Sequence, residues 1–217
     1  MPDSPKKSNT YCKACGKEFE QEYPGYSQVC ERLECIKTRK AKYMAGHIKE
    51  FMVKAGIPPR FHDLKTSRDL QSYINSPRGV YLHGKAGRGK TVMACSIARE
   101  IILKGDYIEY YSSPKLIMQL QDSFKGEGDS AFEMLEKISR KEVIILDDLG
   151  AEKLTDFVRQ SLYFLINERE QWMKKTIITS NYSLEELDRY IDGRISSRIA
   201  GMCDIIEVSG EDRRIKK

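Results

Sequence analysis

The chain has 217 residues, 40% of them hydrophobic and 32% charged, with a formal net charge of +5. That is enough for one full domain with its own core plus a small appendage. No apolar run approaches a membrane span and the polar start has no signal-peptide core, so the expected location is the cytoplasm, with no membrane partner. The mild positive charge is compatible with nucleic acid but does not argue for it alone.

Residues 1–10 carry almost no apolar side chains and read as a disordered lead-in. Residues 11–36 hold four of the six cysteines, as Cys12-x2-Cys15 and Cys30-x4-Cys35. In a reducing compartment, clustered cysteines favour metal over disulfides. Two short-spaced pairs suit a tetrahedral four-thiolate Zn²⁺ site, and Cys15-Gly16-Lys17 resembles a zinc-knuckle turn. The alternative is a set of unrelated free thiols. Four thiolates close the coordination shell, so such a site is structural. Phe19, Tyr23 and Tyr26 offer a small core, and the metal would supply the stability that so short a module lacks. Cys95 and Cys203 sit among apolar residues and read as core.

Residues 37–56 read as a connecting helix, basic and then amphipathic. Its Lys37, Arg39, Lys40 and Lys42 form either a solvated face or a phosphate-contacting stripe. Gly56-Ile57-Pro58-Pro59-Arg60-Phe61 breaks the helix and marks the domain boundary, with the larger domain over 57–217. His47, His62 and His83 have no partner in sequence and carry no catalytic assignment.

Within the larger domain, residues 67–75 look helical and Val80-Tyr81-Leu82 reads as a buried strand. Gly84-Lys85-Ala86-Gly87-Arg88-Gly89-Lys90-Thr91 then matches G-x-x-x-x-G-K-[ST], the P-loop, and an amphipathic helix follows. Gly84, Gly87 and Gly89 allow close backbone approach, so N–H groups and a helix N-terminus can wrap a triphosphate. Lys90 would meet the β/γ-phosphates of ATP, and Thr91 would place its hydroxyl on Mg²⁺. Lys104-Gly105-Asp106 stops that helix. A strand at 107–111 and a helix starting at Ser112-Ser113-Pro114 come next. Lys125-Gly126-Glu127-Gly128 is a turn, and 130–139 is a second short helix.

Val143-Ile144-Ile145-Leu146-Asp147-Asp148 is a buried apolar strand ending in two carboxylates, the Walker B arrangement. Asp147 is expected in the Mg²⁺ shell beside Thr91, and Asp148 is placed to polarise the attacking water. A helix over 155–174 leads to the strand Thr176–Ser180, ending at Asn181. Asn181 either orients water near the γ-phosphate or caps the next helix. Arg194 and Arg198, four apart, share one helix face. They are either surface charges or groups aimed at a neighbouring subunit's nucleotide. Residues 203–208 form a last strand before a basic tail. The β-α alternation argues an open parallel sheet with helices on both faces, with the site at the strands' C-terminal ends.

From about Ile57 onward the chain resembles AAA+ ATPases, and more narrowly the DnaC/DnaI helicase loaders and the IstB-type transposition helpers. The marks are Gly-Ile-Pro-Pro-Arg-Phe, Gly84–Thr91, Ile-Leu-Asp-Asp-Leu-Gly (145–150), Thr-Ser-Asn (179–181), Arg-Ile-Ser-Ser-Arg (194–198) and Gly-Glu-Asp-Arg-Arg (210–214). The resemblance implies a three-layer α/β/α fold with a five-stranded sheet in the order 5-1-4-3-2 and no full C-terminal lid. It implies catalytic roles for Asp148, for Asn181 as reader of the γ-phosphate and for Arg198 as an arginine finger acting across a subunit interface. It also implies nucleotide sensing by Arg214, with Arg213 as the substitute. The helices at 113–139 match the place where initiator-type members carry an insert that grips single-stranded DNA.

Two functions follow from the resemblance. One is a slow, switch-like ATPase that loads a hexameric replicative helicase, with single-stranded DNA and self-association as further partners. The other is a transposition helper working on double-stranded DNA with a transposase. A DNA-binding adaptor without ATPase activity is a third reading, and the intact Lys90, Thr91, Asp147 and Asp148 argue against it.

Overall fold

The computed structural model describes residues 8–21, 30–64, 70–124 and 128–212. Strands β1 (Ser8–Tyr11) and β2 (Glu18–Gln21) pair antiparallel around a turn that carries Cys12 and Cys15. Tyr23, Tyr26 and the lead-in before Ser8 lie outside the described residues, and Phe19 packs beside the cysteines as expected.

The segment read as a single helix over 37–56 is two. Helix α1 (Leu33–Gly46) already contains Cys35, and α2 (Ile48–Lys54) follows a break at His47, which leaves helical geometry at φ −122° and ψ 28°. Lys37, Arg39 and Lys42 are exposed, while Lys40 lies 4.1 Å from the centre of the Tyr107 ring. Met44, Phe51, Met52, Ala55 and Ile57 are buried in the same core as Val80, Ile97 and Ile145. The main core therefore continues past the Gly56-Ile57 boundary into these helices. Each fully buried side chain of this kind contributes roughly 1.5–3 kcal/mol by leaving water, and that is what holds the pair in place.

A single 3₁₀ turn (Pro59–Phe61) and α3 (Gln71–Asn75) precede β3 (Gly79–His83). The expected helix start at 67 falls outside the described residues. Then follow α4 (Lys90–Leu103), β4 (Glu109–Ser112), α5 (Ser113–Asp122) and α6 (Ala131–Ser139). The strand expected at 107–111 begins two residues later, with Tyr107 mostly exposed and its ring beside Phe51 and Lys40. Ser130 and Glu133 cap α6 reciprocally. The remaining elements are β5 (Val143–Leu149), α7 (Asp156–Gln171), β6 (Lys175–Ser180), α8 (Leu184–Tyr190), α9 (Gly193–Met202) and β7 (Cys203–Glu207).

Strands β3 to β7 form one parallel sheet in the order β4-β5-β6-β3-β7. Counted within the sheet, with β3 first, this is 5-1-4-3-2, the order that the resemblance implied. Alternation along the strands splits the core. Val80, Leu82, Ile145 and Ile177 face α4 and the N-terminal helices, while Tyr81, Ile144, Leu146 and Ile178 face α5, α7 and α9. Cys95 and Cys203 are buried, one in each core. Among the described residues no helix is long and apolar enough to cross a membrane.

Candidate functional site

Strand β3 delivers the glycine loop onto α4. Gly84 adopts φ 136°, and a Cβ there would lie 2.6 Å from the carbonyl oxygen of Val208, so the loop begins against the end of β7 where only glycine fits. Gly87, at φ 78°, would place a Cβ 2.0 Å from the Asp212 carboxylate. The following helix starts at Lys90, which puts its free N–H groups and the positive end of its dipole at the loop.

The Lys90 side chain is buried and folded inward. Its Nζ donates to the carbonyl oxygens of Gly84 (2.6 Å) and Lys85 (3.0 Å) and to Asn181 Oδ1 (2.8 Å). The three expected groups, from the start of α4 and the ends of β5 and β6, are therefore joined: the Asn181 amide also points Nδ2 at Asp148 Oδ1, 3.4 Å away. Asn181 is not the cap of the next helix, because Ser183 takes that role.

At the end of β5 the two aspartates diverge. Asp147 accepts from Thr179 Oγ1 on Oδ1 (2.7 Å) and from the Tyr110 hydroxyl on Oδ2 (2.6 Å). Asp148 has φ 63°, and the β5–β6 register shifts between Leu146 and Leu149. An irregularity of this kind redirects a side chain at a strand end, and aspartate tolerates the left-handed conformation. The Asp148 N–H donates to Thr179 Oγ1 at 2.8 Å, fixing the turn.

These groups line one cavity of about 430 Å³. Lys90, Thr91, Asp147, Asp148 and Asn181 make its polar end, and Phe61, Leu64 and Val92 supply apolar wall, with Arg60 stacked 4.4 Å over the Phe61 ring. A cation-and-amide end joined to an apolar end suits a triphosphate attached to a planar base. The hydroxyl of Thr91 and the carboxylate of Asp147 are hard oxygen donors on the same cavity, the ligand type that Mg²⁺ takes.

The arginines stand elsewhere. Arg198 is half-buried on α9, donating to Glu170 Oε2 (2.9 Å) and to the Tyr163 hydroxyl (3.0 Å). Arg194 is exposed and paired with Asp192 at 2.7 Å. Neither lines the cavity of its own chain. Arg213 and Arg214 lie outside the described residues.

The four N-terminal cysteines converge. Their Sγ atoms all lie within 4.8 Å of one another, and Cys15 and Cys30 are 3.8 Å apart. A tetrahedron of sulfurs around Zn²⁺ has edges of roughly 3.8 Å, so the donor set fits that ion. Burial opposes ionisation of Cys12, but N–H groups of Cys30 and Ala14 point at its sulfur and bring it down to about 6. The contact with Cys30 and burial push Cys35 well up.

Several residues that support the site were given no role by the sequence. Tyr110 and Thr179 hold Asp147 from neighbouring strands, and Glu152, buried after β5, accepts from Ser113 Oγ (3.0 Å) and Gly150 N–H (3.2 Å) to brace the turn beyond Asp148. Thr179 stands in the Thr-Ser-Asn signature, whereas Tyr110 reads only as a strand aromatic.

A family model described as IstB-like ATP binding protein matches residues 31–217. The chain is 30% identical over 164 residues to the replicative helicase loader DnaI of Bacillus subtilis, covering 67% of this chain and 51% of that one. It is also 30% identical over 154 residues to the ATP-binding protein of insertion sequence IS1162 from Pseudomonas fluorescens, covering 69% and 64%. The chain thus spans about half to two thirds of the length of these relatives. A crystal structure of the DnaC helicase loader superposes with a TM-score of 0.59 at 24% identity, covering 67% of this chain and 93% of that one, a likeness of fold.

Proposed function

The chain belongs to the family of IstB-like ATP binding proteins, and on that premise we propose that it is a slow ATPase acting as the switch of a helicase loader. The observation that carries this reading is the single cavity that gathers Lys90, Thr91, Asp147, Asp148 and Asn181 at the C-terminal edge of the sheet. The loop 84–91 and the start of α4 bind the phosphates. Lys90 leaves its carbonyl partners for the β/γ-phosphates. Thr91 and Asp147 would hold Mg²⁺, which when bound would supply positive charge to the phosphates. Asp148 orients the attacking water and accepts its proton, and Asn181 bridges Lys90 and Asp148 so that each registers the γ-phosphate.

Arg198 acts on the nucleotide of a neighbouring copy. To do so it exchanges Glu170 for phosphate, with Arg194 beside it. Arg214 senses nucleotide from the same chain. The four cysteines bind Zn²⁺ and hold a hexameric replicative helicase, while α5 and α6 contact single-stranded DNA. Functionally, the domains divide into this zinc module, the α1–α2 connection and the ATPase domain from about residue 57. The resemblance of equal identity to an insertion-sequence protein favours a second reading, in which the same switch serves a transposase on double-stranded DNA.

The first test is nucleotide binding and phosphate release, with and without single-stranded DNA. Lys90→Ala should weaken ATP binding at least about tenfold and abolish turnover. Undiminished ATP affinity in that variant would refute the assignment of the cavity.

A further inference from the structure

Tyr110 lies on β4, the edge strand next to β5, and its hydroxyl reaches across to Asp147 at 2.6 Å. The strand edge that would otherwise be open is tied down at this residue. The Tyr110 N–H donates to the carbonyl of Ala55, just past the end of α2, at 2.7 Å. Gly56, at φ 77°, follows, and a Cβ there would be in ordinary contact, 3.4 Å, with the Tyr110 carbonyl oxygen. The ring packs against the first core. Its backbone and ring are therefore both held, and the hydroxyl has a fixed position.

Asp147 is 7% exposed and receives one donor on each oxygen, Thr179 on Oδ1 and Tyr110 on Oδ2. A carboxylate has about four lone-pair sites, so two donors fix its plane and leave sites free for a cation. Held donors behind a metal-binding oxygen orient it, and their loss typically weakens the metal site 10–100-fold.

We propose that Tyr110 is a positioning residue for the divalent metal: its hydroxyl holds the Asp147 carboxylate in the orientation that a metal ion on the nucleotide needs. The inference rests on the nucleotide reading of the cavity. It is tested by Mn²⁺ titration followed by electron paramagnetic resonance, in the presence of a non-hydrolysable ATP analogue, on the full chain. Tyr110→Phe keeps the ring and removes the donor. It should weaken Mn²⁺ binding roughly tenfold while leaving analogue binding in EDTA unchanged. Placed in an Asp147→Asn background, the same substitution should add no further loss. Mn²⁺ binding as tight as wild type or tighter, or a loss that persists without the Asp147 carboxylate, would overturn the inference. Wild-type protein that binds no analogue under any condition would overturn the nucleotide reading itself, and this inference with it.

Discussion

Lys90 and Arg169 are both buried cations, and the difference between them separates function from structure. Lys90 donates to two loop carbonyls and to the Asn181 side-chain amide oxygen, and it faces a cavity. A cation so placed is ready to exchange weak acceptors for phosphate oxygens. Arg169 is fully buried and faces no opening. It donates to the carbonyls of Ile138, Ser139, Lys141 and Lys175 and to Thr176 Oγ1, joining the end of α6 to β6. Burial lowers it only to about 10, so it remains charged at neutral pH. The negative end of the α6 dipole helps to stabilise that charge. Arg169→Met should strand several buried carbonyls and cost at least about 3 kcal/mol of stability in denaturant unfolding. Arg169→Lys should not rescue it, because an ammonium cannot span the five acceptors. A loss below about 1 kcal/mol would contradict the reading of Arg169 as the clasp of this corner. Asp147 and Asp148 were legible in the sequence because a buried apolar run ends on them. Arg169 was not, because an arginine at a helix end looks like surface until the acceptors from three other segments are known. Tyr110 was hidden for the same reason: its partner lies across a strand pair.

Among the elements, the strands were the most legible, since runs buried on both faces have few other readings. Strand β4 was displaced because its aromatic run, Tyr107 to Tyr111, does not say which tyrosine faces out. The connecting helix was the least legible. Its sequence reads as one basic, then amphipathic helix, but it is two: Met44, Phe51 and Met52 fill the first core, and Cys35 within α1 ties that helix to the cysteine cluster. Whatever holds the four sulfurs together therefore also holds the start of α1. Cys95 and Cys203 are of another kind, since burial raises both thiols to about 12 and leaves almost no thiolate at neutral pH. Thiol labelling at pH 7 should accordingly find no fast-reacting cysteine in native zinc-loaded protein, four after chelation and all six in denaturant. Metal analysis should give about one zinc per chain. Six protected thiols after exhaustive chelation, or no metal in protein purified without chelator, would contradict the zinc assignment.

Across the whole molecule, one sheet carries at its C-terminal edge the polar end of the cavity lined by Lys90, Asp147 and Asn181. Arg194 and Arg198 stand away from that cavity, paired with Asp192 and Glu170. An arrangement in which the cavity of one copy is completed by α9 of the next would couple nucleotide state to assembly, and the α1–α2 pair would carry that state to the cysteine module. The β-α alternation argued only an open parallel sheet, and its strand order was implied by the family resemblance. What the pattern could not supply was the continuity of the first core from Met44 to Val208, because long-range packing leaves no local signature. In the proposed function, ATP governs engagement of a hexameric replicative helicase. The most direct measurement is size-exclusion chromatography with light scattering on this protein mixed with the host's replicative helicase, with and without ATP. The expected result is a stable co-eluting complex whose stoichiometry changes with ATP and does not change with ATP in Lys90→Ala. Absence of any complex under both conditions, with co-elution of a transposase instead, would contradict it and establish the transposition reading.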